Sequence, residues 1–561
     1  MKLTRSDGFV WAFFFILFFG GSYFLYDYYT KLGYGSDGTM MSFDEETLSR
    51  LRRIVKDSPT KIEIPDRVCY TISEHSKLND SSREKTNQLQ NAINTCSQEG
   101  GGRIVIDRGE WIVGPLQLQS NIHLILEEGS TLVFDEDILS YRGEVPYRFE
   151  GIRTKMSQPL LYASECENIK ISGKGNVRGN QNAWASYAEN EMMWFEILYQ
   201  ESEERKKVDN RKKYTLSDPM VFRPDMIGFS SCSNVSLEGI TLERSPRSAL
   251  RILLSNGISL KDLTIHVESL EGDAVVLDSS SNILYTGGTI QSENGDGIVF
   301  QSGLNAEGRA MDEYPLENVR IQDVSITRAR NALTVDKAMS GGVNRIVAHN
   351  ITIGSADYGI SALLPPGVGG YMRHFLFENI TMDKINTDAI AFDLSSFDTE
   401  MILRNKSYKE EDVRLRDMFF LSIKAISDDK ALVFKDFAPK FGKNIRNANL
   451  YFRDMTLVSK NAILLQGVNE LLFENSLFSL PSLRIMDSQD VFFSSVRCEE
   501  KTLEECAEFS GSNSHVVAKS LGEKDTRILR SRVIDEGEVF VGKEKTEENE
   551  PGVSEEAIPQ D

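Results

Sequence analysis

At 561 residues the chain exceeds one ordinary domain, and its 40% hydrophobic and 26% charged content is that of a globular protein able to bury a large core. Its 84 acidic against 63 basic residues leave a net charge of −21, which argues against nucleic acid and anionic membrane surfaces as partners, since both need a basic footprint. The six cysteines (Cys69, Cys96, Cys166, Cys232, Cys498, Cys506) show no CxxC spacing, so neither a zinc site nor any other cofactor is expected.

In chain order, residues 8–26 form an apolar run about long enough to cross a bilayer as a helix. Lys2 and Arg5 precede it, and Tyr26, Tyr28 and Tyr29 follow it as an interfacial belt. Positive charge on the short side predicts a cytoplasmic N-terminus and a body outside the cytoplasm, periplasmic or extracellular. No small-x-small cleavage site follows the run, so residues 1–29 read as a stub and uncleaved signal-anchor. Residues 30–86 read as a polar stalk and lead-in with an amphipathic helix within 43–57. From Asn87 a short helical pattern and a Gly-Gly-Gly break lead into alternating β-rich runs, the helix serving as a cap on an open sheet end.

Internal repeats dominate the region 87–534. NVSLEGITL from Asn234, GISLKDLTI from Gly257, NILYTGGTI from Asn282, NVRIQDVSI from Asn318, RIVAHNITI from Arg345 and HFLFENITM from His374 are variants of one unit. A period of roughly 25 residues, short strands and Asn or Gly at the corners predict a single-stranded parallel β-helix. Two stretches, 179–223 and 396–444, interrupt the pattern as excursions, and the acidic tail 535–561 is expected to be disordered. Cys498 and Cys506 are close enough to bridge; Cys166 and Cys232 occupy matching places in two repeats, where a disulfide and a pair of buried thiols fit equally.

Aligning the strand that follows each repeat sets Ser248, Asp273, Asp296, Asn331 and Asp388 in one column. Asp273 and Asp296 each begin the phrase Gly-Asp followed by a strand, so on neighbouring coils their carboxylates stack ~4.8 Å apart. Such a pair on a long face suits acid/base work on an extended polymer. The competing reading is that both are corner residues bonding local backbone.

These motifs resemble the polygalacturonases of glycoside hydrolase family 28. The resemblance runs from NAINTCSQEGGGRIVIDRGEWIVGP through GKGNVRGNQNAW and RPDMIGFSSCSNVSLEGITLERSP to MSGGV, covering residues 87 to 400. It implies a right-handed parallel β-helix, an all-β fold, and hydrolysis of a polysaccharide with inversion by a monomer. Glu271-Gly272-Asp273 stands where the family has Asn-Thr-Asp, so Asp273 matches its aspartate. In Asn294-Gly295-Asp296, the place of Gly-Asp-Asp, only Asp296 remains and the usual general acid falls on Gly295. The family's Gly-His-Gly falls on Arg330-Asn331-Ala332, and its Arg-Ile-Lys, which receives a galacturonate carboxylate, on Ser361-Ala362-Leu363.

Asp273 and Asp296 are therefore the catalytic candidates, and Ser248, Asn331, Ser361 and Asp388 the substrate-binding ones. Asp278, Glu293 and Asp336 are alternative proton donors. Loss of the cations points away from ordinary pectin. Two other readings stand beside hydrolysis: a carbohydrate-binding β-helix that has lost catalysis, and a lyase or epimerase, for which the column supplies no Lys or His base. Trp184 and Trp194 read equally as sugar platforms and as buried aromatics, and Arg247, Arg251, Lys206, Lys207 and Arg330 read first as a solvated charged face and second as replacement cations.

Overall fold

The computed structural model describes residues 41–73, 81–141, 144–203, 222–309, 315–396, 412–437, 448–499, 501–510, 514–519, 527–532 and 539–541. The chain divides into two units, Met1–Ser42 and Phe43–Asp561, and every described strand belongs to the second. The anchor expected at 8–26 lies outside the described residues; among those described, no helix is long and apolar enough to cross a membrane.

The second unit is a parallel β-helix. Each coil contributes up to three short strands, and each strand pairs in parallel with its counterpart one coil on: Ile169 with Val235, Val235 with Ile258, Ile258 with Ile283, and Ile283 with Val319. Alternation within each strand sends one set of side chains inward, so like stacks on like and the interior fills with Ile, Leu, Val and Phe that are almost wholly buried. Near the C-terminal end Phe377, Phe420, Phe452, Phe473 and Phe493 form one such ladder, with successive ring centroids 5.2, 4.8, 4.5 and 5.7 Å apart. Each fully buried ring contributes roughly 1.5–3 kcal/mol over its exposed state.

The corners explain why the repeats are visible in the sequence. Asn234, Gly257, Asn282, Asn318, Arg345 and His374 all have φ between 53° and 69°, a left-handed bend that Gly and Asn adopt at least cost. The asparagines also bond along the stack, Asn234 Nδ2 donating to Asn168 Oδ1 at 3.2 Å and Asn318 Nδ2 to Asn282 Oδ1 at 3.1 Å.

The expected end cap is present as a helix over Ser82–Gln98, begun by a reciprocal Ser81–Glu84 capping box and burying Leu89, Ile93 and Cys96. Cys96 is bonded to Cys69 and Cys498 to Cys506, whereas Cys166 and Cys232 are buried free thiols. The stretch expected as a stalk is, in its described part, docked on the coil wall. Its helix Glu45–Leu51 buries Leu48 and Leu51, Arg320 donates to the Ile54 and Arg52 carbonyls, and Phe43 packs against Phe419 and Tyr451.

Two further departures come from tertiary context. The stretch 396–444, expected as an excursion, contains a full coil: Arg414–Ser427 pairs with Tyr371–Ile385, and Lys430–Lys435 with Asp388–Asp393. In the expected tail, Val539–Val541 pairs antiparallel with Arg527–Arg532, and the rest of 535–561 lies outside the described residues. The excursion at 179–223 does carry a helix, Ala188–Glu203. It packs with a hairpin that no repeat pattern announces, Glu144–Phe149 paired with Ile152–Ser157.

Candidate functional site

The hydrogen-bond register fixes the column. Ala249 N donates to Asp273 O, Ala274 N to Asp296 O and Gly297 N to Asn331 O, at 2.9, 2.9 and 2.8 Å, so Ser248, Asp273, Asp296 and Asn331 lie on successive coils. Tyr358 follows, paired with Asn331, and Asp388 comes one coil after it. Asp225 precedes Ser248, its neighbour Met226 donating to Ser248 O at 2.9 Å. Asp225 and Tyr358 do not emerge from aligning the repeats, because their coils lack the head-of-strand phrase.

The central pair is built asymmetrically. Asp273 is half-buried, and its Oδ1 accepts from the Asp296 amide at 3.0 Å. Burial, then the neighbouring Asp296 carboxylate, push its pKa up to about 7. Asp296 is 6% exposed and collects donors on one oxygen: Arg330 Nε at 2.9 Å, Asn331 Nδ2 at 2.8 Å and the Asn331 amide at 3.2 Å. Its charge in turn raises the proton affinity of the Arg330 guanidinium. One carboxyl is thus disposed to hold a proton near neutral pH, while an oxygen of its neighbour is taken up by three donors.

The other candidates fare differently. Ser361 is 1% exposed, its hydroxyl donating to Asn331 Oδ1 at 3.2 Å and Thr334 Oγ1 at 2.9 Å, so it steadies Asn331 from beneath. Ser248 is wholly buried and presents no hydroxyl to solvent. Asp388 is partly exposed; burial pushes it up to about 6 against the pull of Lys430, 3.7 Å away. Of the alternative proton donors, Asp278 is fully buried and ion-paired with Arg148 at 2.6 Å, which removes it from any substrate. Glu293 pairs with Arg328 at 2.9 Å. Asp336 is raised by burial against the pull of Lys337, and accepts from Gln301 at 3.2 Å and the Ala338 amide at 2.8 Å.

Gly295 sits where the resemblance puts the general acid. A Cβ built there would lie 2.1 Å from Gly272 O and 2.5 Å from Gly272 C, so no side chain fits without moving the backbone. Trp184 and Trp194 are buried rather than offered as platforms. Arg247 and Arg251 are buried among carboxylates, and Lys206 and Lys207 lie outside the described residues. Among the described residues no group of three or more His, Cys, Asp and Glu is disposed to hold a metal ion.

The hairpin and the helix Ala188–Glu203 lie over the face on the other side of the pair, burying Tyr162, Leu253 and Ala338 against Tyr147, Phe149, Phe195 and Phe222. Buried ion pairs fasten them. Arg148 meets Asp278, Arg223 at the end of the excursion meets Glu191 of the helix at 2.7 Å, and Tyr147 donates to Asp225, which also pairs with Arg251 at 2.8 Å. At the hairpin turn Glu150 is held by Arg247 at 2.5 Å and faces Lys337 at 3.9 Å. Burial favours its neutral form, but the two cations outweigh it and hold the pKa down at about 2. Beside the pair a cavity of about 290 Å³ opens, lined by Glu271, Glu293, Arg328, Arg330, Asp357 and Asn386.

The fold and this column define the class: a parallel β-helix with a stacked carboxylate pair at the heads of neighbouring strands. In sequence the chain is similar to polygalacturonases of glycoside hydrolase family 28. It is 22% identical over 356 residues to an exo-poly-alpha-D-galacturonosidase of Dickeya chrysanthemi, covering 58% of this chain and 57% of that protein. A probable polygalacturonase of Vitis vinifera is 22% identical over 315 residues, covering 54% and 59%. The chain therefore matches less than two thirds of the length of these relatives. In fold it is similar to an exopolygalacturonase from Thermotoga maritima, with TM-score 0.58, 19% identity, and 85% of this chain and 96% of that one covered. A family 28 exopolygalacturonase of Yersinia enterocolitica gives 0.55 at 17% identity, covering 81% and 78%. No protein-family profile matches the chain.

Proposed function

We propose that the protein is a polygalacturonase-like glycoside hydrolase in which Asp273 protonates the leaving oxygen and Asp296 activates water. The observation that carries this reading is the split environment of the stacked pair: Asp273 is raised to about 7 beside an Asp296 whose Oδ1 accepts from Arg330 and Asn331. Similarity to polygalacturonases supports the reaction type. Ordinary pectin is not the proposed substrate, because Ser361-Ala362-Leu363 offers no cation and Arg330 is engaged with Asp296.

The hairpin, fastened over the face beside the pair, supports action at a chain end, as the names of the exo-acting relatives also suggest. Inversion, which the resemblance to glycoside hydrolase family 28 implies, is the proposed stereochemistry, although the spacing of the pair argues the other way. Neighbouring coils bring the two carboxyls nearer to the ~5 Å of double-displacement enzymes than to the separation usual for inversion. A product that keeps its anomeric configuration reassigns Asp296 as a nucleophile. The body is proposed to lie outside the cytoplasm, anchored through 8–26, an arrangement that suits its two disulfides.

A second reading, a glycan-binding protein without catalysis, is favoured by one observation: Gly295 has no room for the acid the resemblance expects. The test is purified protein on a panel of uronic and neutral polysaccharides, scored for new reducing ends and for binding. Cleavage that disappears in Asp273→Asn and Asp296→Asn supports the first reading; binding without cleavage supports the second.

A further inference from the structure

The two residues of the hairpin turn, Glu150 and Gly151, both have positive φ, 44° and 77°. Such a turn is served best by Asn-Gly or Asp-Gly, and a glutamate gains nothing there from the backbone. Nor does room for a longer side chain explain it. Gly151 is wedged against Ala338, Leu304 and Gly303, and its carbonyl accepts from the Leu304 amide at 3.1 Å, which pins the turn to the coil wall. The carboxylate is gripped by Arg247, itself stacked 4.4 Å over the Phe149 ring, and faces Lys337, which lies 5.5 Å over the Phe195 ring. Yet Glu150 remains about a quarter exposed, while Arg247 behind it is 3% exposed. Arg247, which grips it, directly precedes Ser248, the head-of-strand residue one coil before Asp273, so the turn lies along the same column as the stacked pair.

We infer that Glu150 is a substrate-binding residue that this hairpin delivers to the site: its clamped, half-open carboxylate accepts hydrogen bonds from hydroxyls of the sugar that abuts the turn. This rests on the glycoside hydrolase reading for the identity of the ligand as a glycan, and adds the contact that would hold its end. A carboxylate whose back is already occupied by two cations needs little reorganisation to bind a pair of hydroxyls, and its front is the side left open.

The experiment compares wild type with Glu150→Gln, an isosteric change, using as the main probe neutral oligomers of three to six residues made by reducing the carboxyls of oligogalacturonides to alcohols, with the unreduced oligogalacturonides as the acidic comparison. Binding is read by calorimetry, cleavage by reducing ends, and folding by the thermal midpoint; Glu150→Asp serves as a conservative second variant. The expected result is a tenfold or greater loss of affinity or rise in KM in Glu150→Gln, with kcat changed less than threefold and partial recovery in Glu150→Asp. Unchanged affinity with a lowered thermal midpoint makes Glu150 only a partner for Arg247 and overturns the inference while leaving hydrolysis standing. Weakened binding in Glu150→Gln beside a wild type that binds but never cleaves sustains the inference and removes the hydrolase reading. Wild type that binds neither set overturns the inference.

Discussion

Two stretches of the same coil face carry the same chemistry to opposite ends. Under the hairpin, Asp225 and Asp278 are wholly buried and matched to Arg251 and Arg148; at the rim, Asp273 and Asp296 stand with one cation between them. Buried carboxylates that each receive their own guanidinium become fasteners for the covering hairpin. At the rim, burial and the neighbouring Asp296 carboxylate raise the proton affinity of Asp273 with too little counter-charge to offset them, which is the condition for acid/base work. Residue type alone does not separate the two; the supply of counter-charge and the edge of the cover do.

The sharpest way to break this contrast is at the rim. Asp273→Asn and Asp296→Asn are each expected to lower the cleavage rate by about 10²–10⁴-fold with little change in thermal midpoint, measured on whichever polysaccharide the panel identifies. Under the cover the expectation reverses. Arg148→Ala removes the direct partner of Asp278, leaving it only the more distant Arg251 at 3.9 Å, and is expected to cost about 3 kcal/mol in chemical denaturation. Restoring the family's acid is expected to fail: Gly295→Asp forces its Cβ into Gly272 and lowers stability by more than ~1 kcal/mol without raising activity.

The pH dependence gives a smaller and more specific effect. In its proposed role Asp273 must be protonated to donate, so the rate is expected to fall as pH rises through about 7. Its raised pKa also means that the unfolded chain loses this proton first. This group therefore disfavours the folded state progressively from the ordinary carboxyl range up to about pH 7, and by a constant amount above it. Arg330→Gln is expected to move the alkaline limb of the rate upward, because Arg330 opposes the rise in Asp273. A limb left in place detaches Arg330 from the pair.

Much of the coil was legible in the sequence because its corners demand a left-handed residue, which Asn234, Gly257 and Asn282 supply at matching places. The stacking of Asp273 on Asp296 followed from that register. The hairpin was not legible, since its strands pair only with each other and their burial depends on Phe195 and Phe222 from a distant excursion. The coil at Arg414–Lys435 escaped for a related reason: its corners use Asp417 and Ser422 in place of asparagine, with φ of 56° and 52°. Burial of Ser248 and Ser361 likewise depends on what packs over the column, which spacing does not reveal.

The proposed catalysis at this pair turns on one proton. Isotope-edited carboxyl titration of wild type, Asp273→Asn and Asp296→Asn reads it without any substrate. A group titrating near pH 7 that vanishes in Asp273→Asn and moves down in Asp296→Asn is the predicted result; aspartates that all titrate below about 5 in the folded protein would contradict it.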